Sequence, residues 1–209
     1  MVKVVNPKAS KETRAQILRA ALRLFANAGY AATSVQQIVS DAKVSKPALY
    51  YHFRDKSDLF AALVNEALDE RYEIIQKAAT SAKDIRGQLV AVMAALFEYF
   101  HKNHDLTRLA FSSAFAAPGE MPSGFDNLDK CQRNFNVTHS IIQEAVEHGE
   151  LDGQFGTEEL AYGFYGQCHF YIVSHLKMPN YRLDRRAAAR IVDLFLAGAA
   201  AKKSKPTKK

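Results

Sequence analysis

The chain has 209 residues, of which 48% are hydrophobic, and a formal net charge of +6. A hydrophobic fraction of this size supports a folded core and excludes a wholly disordered chain. The two cysteines, Cys131 and Cys168, are far apart and exclude a dense disulfide framework, which indicates a reducing compartment. The longest apolar run, residues 89–97, is too short to cross a bilayer, and the first residues show no secretory pattern. We therefore expect a soluble, cytoplasmic protein with no membrane partner.

The positive charge is unevenly distributed along the chain. Residues 1–60 hold ten Lys or Arg and four acidic residues, residues 61–201 hold thirteen and eighteen, and residues 202–209 hold five lysines and no acid. Such asymmetry is typical of a protein that presents one end to nucleic acid. Residues 1–9 are expected to be a mobile basic lead, and residues 202–209 a disordered basic tail.

The first predicted helix follows this lead. Ser10 is its expected N-cap, and Gly29 is expected to end it as a C-cap. The apolar residues between them recur at helical spacing, which predicts an inward stripe. That stripe consists of Ile17, Ala20, Ala21, Leu24 and Phe25.

Residues 33–53 predict two short helices with a tight break between them. Thr33 is the expected N-cap of the first helix, because Gln36 stands three residues later, as in a capping box. Lys43 is expected in the turn. Ser45 is the expected N-cap of the second helix, and Pro47 lies in its first turn, where a missing N–H costs nothing.

This layout is that of a helix-turn-helix, whose second helix offers its first residues to the major groove. Leu49 and Phe53 are one turn apart and are expected to face inward, which leaves Lys46, Pro47 and Tyr51 outside. The alternative interpretation is a pair of amphipathic helices in an ordinary bundle, and patterning alone leaves both open.

The segment TSVQQIVSDAKVSKPALYYHFRDKSDL, with ILRAALRLFANAGYAAT upstream, resembles the signature of TetR-family transcriptional regulators. The resemblance runs from about residue 11 to residue 63 and is most specific in L-Y-Y-H-F-x-x-K-x-x-L. The sequence departs from it at Lys43, where the family usually has glycine. We therefore expect Lys43 either to adopt a left-handed conformation or to alter the turn slightly.

The resemblance implies an all-α fold and a regulator of transcription. A three-helix helix-turn-helix domain is expected at residues 10–55, and a helical ligand-binding and dimerisation bundle at residues 56–201. The implied partner is double-stranded DNA with a palindromic operator. The residues expected to contact bases or the groove floor are Ser45, Lys46, Pro47 and Tyr51. Those expected to contact phosphates are Thr33, Lys43, Tyr50, His52 and Lys56.

Six further helices are predicted after Phe53. Asp55 is the expected N-cap of a long fourth helix, residues 56–79, which leads from the DNA-binding segment into the body. The others are predicted at residues 85–102, 105–116, 125–147, 157–177 and 184–201. A loop with two prolines and two glycines is predicted at residues 117–124.

Small residues mark the last two predicted helices, for example Gly163 and Gly166. They favour close packing, which the single chain alone can satisfy. The resemblance implies in addition a homodimer, formed when these two helices pair with the same two of another subunit.

The body is rich in aromatic and histidine side chains, whose simplest interpretation is a bundle core. The resemblance implies a cavity for a small-molecule effector, whose binding would shift the fourth helix. Because few charges interrupt these stretches, a neutral or aromatic hydrophobic effector is expected rather than a highly charged one. The expected regulator is a repressor that this effector releases from DNA. The expected lining residues are Phe97, Phe100, His101, Phe111, Phe115, Phe135, His139, Tyr165 and His169.

A metal site is the first alternative use of these residues. His101 and His104 span the expected helix break at Asn103, and the neighbours Cys168 and His169 point in different directions on a helix. We therefore expect neither a metal nor another cofactor.

An enzyme on a helical bundle is the second functional hypothesis. The sequence has no Gly-rich phosphate loop, no GxSxG and no HExxH, and such an enzyme would need a convergent acid–base pair in the pocket. An architectural DNA-binding protein that uses the basic tail is the third, but it has no need of an aromatic body.

Overall fold

The computed structural model describes residues 7–117, 119–178 and 182–199. Every regular element within these ranges is an α-helix, which confirms the predicted all-α class. The expected basic tail, residues 202–209, and the first six residues lie outside the described part. The helices are α1 (Pro7–Ala32), α2 (Val35–Ala42), α3 (Lys46–His52), α4 (Lys56–Ala79), α5 (Ile85–Lys102), α6 (His104–Ala114), α7 (Leu128–Glu147), α8 (Thr157–Lys177) and α9 (Arg185–Ala199).

The contacts divide the chain into two compact units. The first holds the described residues up to Leu68 together with Asn103–Asn127, and the second holds Asp69–Lys102 and the described residues from Leu128 onward. The domain boundary expected at residue 56 does not coincide with this division, because α6 packs against α1 in the first unit. Helix α4 contributes residues to both units.

The first unit has one apolar core, to which α1, α2, α3, α4 and α6 all contribute. Ile17 and Leu49 are fully buried in it, as the sequence predicts, and so is Ile38 of α2. Phe25 and Phe60 meet there edge to face, with ring centroids 5.4 Å apart. Burial of these large side chains stabilises α2 and α3, which are too short to be stable alone.

Helix α1 begins earlier than predicted. It starts at Pro7, so Ser10 lies inside the helix and the expected N-cap is wrong. Proline is favoured in a first helical turn because its missing N–H has no intrahelical partner there. Gly29 has φ of 81°, which interrupts the helical geometry where the sequence predicts an end.

The N-cap of α2 is Ser34, one residue later than predicted. Its Oγ accepts from the Gln37 N–H at 3.3 Å, and Gln37 Oε1 accepts from the Ser34 N–H at 2.7 Å. This is the reciprocal capping box, shifted from the expected Thr33–Gln36 pair. Thr33 is instead 3% exposed, and its hydroxyl donates to the Gly29 carbonyl at 2.8 Å. Thr33 therefore closes the end of α1.

The second unit is built around α5, which packs against α7, α8 and α9. Nine residues of α5 are buried, as expected for a helix that is apolar over most of its surface. The bounds of α4, α5 and α8 are as predicted. Helix α6 is shorter than predicted, and the predicted end of α9 at residue 201 lies outside the described residues.

Helix α7 starts at Leu128 and not at Phe125. The Phe125 N–H bonds to the Pro122 carbonyl in a turn, and the Phe125 ring contacts Phe60 edge to face at 5.3 Å. This residue therefore belongs to the core of the first unit. In the described part of the chain, no helix is both long and apolar enough to span a bilayer.

Candidate nucleic-acid interface

Helix α3 is fixed at both ends and on one face. The Ser45 hydroxyl accepts from the Ala48 N–H at 3.3 Å, and Pro47 lies in the first turn, as predicted. At the other end the Phe53 N–H donates to the Leu49 carbonyl at 2.9 Å. Leu49 and Phe53 are 0% and 3% exposed, which confirms the predicted inward face. The position of the remaining side chains is therefore set by a rigid core.

The outward face of α3 carries a cation and two phenols. Lys46 and Pro47 are exposed, and Tyr50 and Tyr51 are 51% and 66% exposed. Within the described residues, the one aromatic contact of the Tyr51 ring is edge-on with His52, with centroids 4.9 Å apart. Large aromatic side chains with so little protein contact are available to a partner. A duplex offers such a face phosphate oxygens, thymine methyl groups and base edges.

His52 lies at the edge of this face and is half-buried. Burial lowers its pKa from the ordinary value of 6.5, and the charge of Arg14 lowers it further. The ring is therefore predominantly neutral near pH 7, so it offers one N–H donor and no full positive charge.

Lys43 adopts the left-handed conformation, with φ of 55° and ψ of 40°. Its N–H donates to the Ser40 carbonyl at 3.2 Å, and the Val44 N–H donates to the Val39 carbonyl at 3.0 Å. These two bonds form a Schellman motif that ends α2. The first expected alternative, a left-handed Lys43, is therefore observed. The turn keeps the geometry that glycine would give, and an exposed lysine occupies it.

The ammonium group of Lys56 is turned toward the protein. Lys56 Nζ donates to the carbonyl oxygens of Tyr30 and Thr33, at 2.8 and 2.7 Å, and lies 4.1 Å from the Tyr30 ring centroid. Burial lowers the pKa of Lys56. One of its three N–H bonds is left for another acceptor, so a phosphate contact stays a prediction. Its role in holding the α1–α2 connection was not predicted.

Other cations of the first unit divide into paired and exposed ones. Arg14 pairs with Glu66, and Arg23 pairs with Asp41 at 2.6 Å. Arg54 has an 86% exposed side chain and only a long contact, 3.5 Å, to Asp58. Arg54 was not among the residues predicted to contact DNA. Its place directly before the N-terminus of α4 was the available signal.

A family model of bacterial regulatory proteins, the tetR family, matches residues 17–63 of the chain. The match covers α2, α3 and the capped turns around them. The helix-turn-helix segment of the chain is therefore that of the TetR family. The resemblance that the signature predicts is thereby confirmed.

Curated relatives named as HTH-type transcriptional regulators match part of the chain. The transcriptional activator FasR of Mycolicibacterium smegmatis is 33% identical over 104 residues, which is 50% of this chain and 48% of that protein. The regulator AcrR of Shigella flexneri is 48% identical over 54 residues, 26% and 25% of the two chains. The chain thus spans less than half the length of these relatives.

Solved structures extend the likeness to nearly the whole chain at the level of fold. A Clostridium perfringens putative fatty acid metabolism regulator superposes with a TM-score of 0.76 at 20% identity, over 90% of this chain and 100% of that one. FadR of Bacillus subtilis in complex with stearoyl-CoA gives 0.69 at 19% identity, over 88% and 98%. The TetR fold therefore includes the second unit.

The structure brings four of the nine expected effector-contacting residues together in the second unit. The Phe135 ring lies 5.9 Å from His139 and 5.5 Å from Tyr165, and Tyr165 lies 5.4 Å from His169, measured between centroids. Polar neighbours of this group, Arg71 among them, were not predicted, because they are distant in sequence.

The other five expected residues lie elsewhere. Phe97 and Phe100 are fully buried in the second unit, and the Nε2–H of the exposed His101 donates to the Leu183 carbonyl at 3.2 Å. Phe111 and Phe115 belong to the first unit, where Phe115 is 88% exposed. A contact of these five with an effector stays a prediction.

The potential metal ligands among the described residues do not form a cluster either. No group of three or more His, Cys, Asp or Glu side chains among the described residues is arranged to hold a metal ion. Cys168 is fully buried, which raises the pKa of its thiol to about 12. A protonated thiol is a poor metal ligand and a poor nucleophile.

Proposed function

We propose that this protein is a homodimeric, sequence-specific DNA-binding regulator of transcription, a repressor that a small hydrophobic effector releases from its operator. The observation that carries the proposal is the outward face of α3, which presents a cation and two tyrosines from a capped helix on a rigid core. The relatives named above support it, since they are named as HTH-type transcriptional regulators.

The roles of the DNA-facing residues follow from their exposure. Bases or the groove floor meet Ser45, Lys46, Pro47 and Tyr51. Phosphates meet Lys43, Tyr50, His52 and the remaining N–H of Lys56. Thr33 is replaced in this role by its neighbour Ser34, because the Thr33 hydroxyl is buried and bonded internally whereas Ser34 is exposed at the N-terminus of α2.

A dimer is supported by apolar side chains that the single chain leaves uncovered on its last two helices. Tyr162 and Phe170 on α8 are 62% and 72% exposed, and Leu194 on α9 is 63% exposed. Gly163 and Gly166 on α8 allow a second helix to approach closely. Large exposed apolar residues beside small ones are typical of a helix–helix interface between subunits. Two-fold pairing here would match a palindromic operator.

The effector is proposed to bind in the second unit, at the group of Phe135, His139, Tyr165 and His169. Its binding would change DNA affinity through α4, which has residues in both units. One TetR-fold protein, FadR of Bacillus subtilis, was solved in complex with stearoyl-CoA, which supports an effector with a large apolar part. FasR is named as an activator, so the sign of regulation needs its own test.

Selection of bound duplexes from a random pool tests the proposal directly. We expect the full-length protein to enrich one palindromic sequence, and we expect deletion of the gene to raise expression next to that sequence. Recovery of unrelated sequences, with equal affinity for random DNA, would overturn sequence-specific regulation.

A further inference from the structure

Arg71 is a cation that the second unit leaves without an acidic partner. It is half-buried on α4, and its Nε donates to Asn134 Oδ1 at 3.2 Å. The ion pairs of this unit lie elsewhere: Asp69 binds Lys130 and Arg133, Glu98 binds Lys102, and Asp193 binds Arg86. Within the described part of the chain, none of them includes Arg71.

The hydrogen bonds around Arg71 fix its position and leave its outer nitrogens open. Asn134 is fully buried, and its Nδ2 donates to the Lys130 carbonyl at 2.9 Å, so its Oδ1 is directed to Arg71. No bond from Nη1 or Nη2 of Arg71 to a described residue accompanies the Nε bond. A guanidinium has four N–H donors on these two nitrogens, in the planar arrangement that binds a carboxylate with two parallel bonds.

A second unsatisfied group lies beside this arginine. Thr138 is fully buried, and its Oγ1 lies near enough to the Tyr165 hydroxyl to lower the pKa of that phenol, but it makes no hydrogen bond of good geometry to a described residue. The neighbouring Tyr165 hydroxyl donates instead to the Asn134 carbonyl at 3.0 Å. A buried hydroxyl without a partner is costly, and folded proteins keep few of them. Thr138 is therefore an available donor one helical turn along α7 from Asn134.

The charge of Arg71 affects the pKa values of two aromatic side chains on α8, Tyr165 and His169. Burial, and to a smaller extent the charge of Arg71, lower the pKa of His169 to about 4. Burial raises the pKa of Tyr165, which Arg71 partly offsets. His169 is therefore neutral near pH 7. The neutral His169 ring does not compete with Arg71 for an anion. The Phe135, Tyr165 and His169 rings supply an apolar surface beside Arg71.

We propose that the effector carries one carboxylate, bound by the outer nitrogens of Arg71 and the hydroxyl of Thr138, with an apolar body against Phe135 and Tyr165. This inference rests on the proposed function, since it names the chemical class of that effector. It departs from the neutral effector that the sequence favours, because the sequence does not reveal that Arg71 meets α7 and α8. Pairing with an anion would offset the cost of holding a cation in an apolar bundle.

The test uses carboxylates and the uncharged amides of the same skeleton. Dodecanoate with dodecanamide, and cinnamate with cinnamamide, are titrated by calorimetry into the full-length protein. We expect the wild type to bind at least one carboxylate about tenfold or more tighter than its amide, as a charge-assisted pair predicts. Arg71→Gln should bind both members of that pair equally, and Thr138→Val should weaken carboxylate binding while leaving amide binding unchanged.

Lys77→Gln is the matched control, because it removes one exposed positive charge from the same helix. It should keep the preference of the wild type. Thermal unfolding of each variant shows whether it is folded, and Arg71→Lys should retain part of the preference. Equal binding of acid and amide by the wild type, no binding of either carboxylate, or an unchanged preference in Arg71→Gln would overturn the proposal.

Operator binding by gel shift is measured on the same samples. A wild type that prefers the carboxylate but binds no specific DNA would refute the proposed function and leave this inference intact. Specific DNA binding without any carboxylate preference would refute this inference and leave the proposed function intact.

Discussion

Lys56 and Tyr30 are joined twice, although they are 26 residues apart. The Lys56 ammonium donates to the Tyr30 carbonyl at 2.8 Å and lies over the Tyr30 ring, 4.1 Å from its centroid. The same ammonium also bonds the Thr33 carbonyl at 2.7 Å. Because Ser34, the N-cap of α2, follows directly, Lys56 fixes the point at which the helix-turn-helix begins.

Lys56→Met is expected to destabilise the fold by about 1–2 kcal/mol, because two bonds from a charged donor and a cation–π contact are lost. Affinity for all DNA sequences should fall about equally. Chemical denaturation and salt-dependent binding measure the two effects. Lys46→Met, at an exposed position of α3, is the control for stability alone. If the remaining N–H binds phosphate, the salt slope should fall by about one unit. An unchanged unfolding free energy, or a loss limited to one operator base, would contradict this role.

Tyr51→Ala is expected to change operator preference with little effect on stability. The side chain is 66% exposed, so its removal should alter the unfolding free energy by less than about 0.5 kcal/mol. A lost base contact costs about 1–3 kcal/mol at the affected position. Selection of bound DNA with both proteins compares the preferences. An unaltered consensus would remove Tyr51 from base readout.

Lys43→Gly should stabilise the protein, by about 0.5–1 kcal/mol, because glycine adopts the observed left-handed conformation without steric cost. Lys43→Gln is the matched control, since it removes the charge and keeps the strain. Both variants should lower the salt slope of DNA binding by the same amount if Lys43 contacts phosphate. A glycine variant no more stable than the glutamine variant would show that the turn carries little strain.

Because of His169, the free energy of unfolding is expected to decrease as the pH falls. Its pKa is about 4 in the folded protein and about 6.5 when unfolded, so the unfolded state binds more protons between these values. Its contribution is complete above pH 6.5 and is lost toward pH 4, at up to about 1.4 kcal/mol per pH unit. His169→Gln should flatten the pH dependence of the unfolding free energy in this window, whereas the exposed His148→Gln should not. Parallel curves for wild type and His169→Gln would refute the assignment.

Leu194→Lys and Phe170→Asp are expected to yield folded monomers. Both side chains are exposed in the single chain, so the substitutions remove no contact of the core. A charge buried in an apolar interface between subunits would be strongly unfavourable. Sedimentation equilibrium measures the mass, and Phe115→Asp tests an equally exposed aromatic in the first unit. A wild type that sediments as a monomer, or variants that remain dimeric, would exclude this interface.

Much of the DNA-facing segment was predictable because its determinants are local. The Ser45 cap, the inward Leu49–Phe53 pair and the exposure of Tyr51 follow from residues within two helical turns of one another. Lys43 shows the limit of this approach. The sequence permits two conformations there, and the Schellman bonds to Ser40 and Val39 select the left-handed one.

By itself the sequence determined the helical class, the capped turn-and-helix that faces DNA, and the family whose model its helix-turn-helix segment matches. The tertiary structure decided what meets across long separations: Lys56 with the α1–α2 connection, α6 with α1, and Arg71 with Asn134, 63 residues away. Caps and apolar stripes are encoded by neighbours at spacings of three and four residues. Contacts between helices depend on how whole faces pack, and no local propensity specifies which polar side chain the packing leaves without a partner.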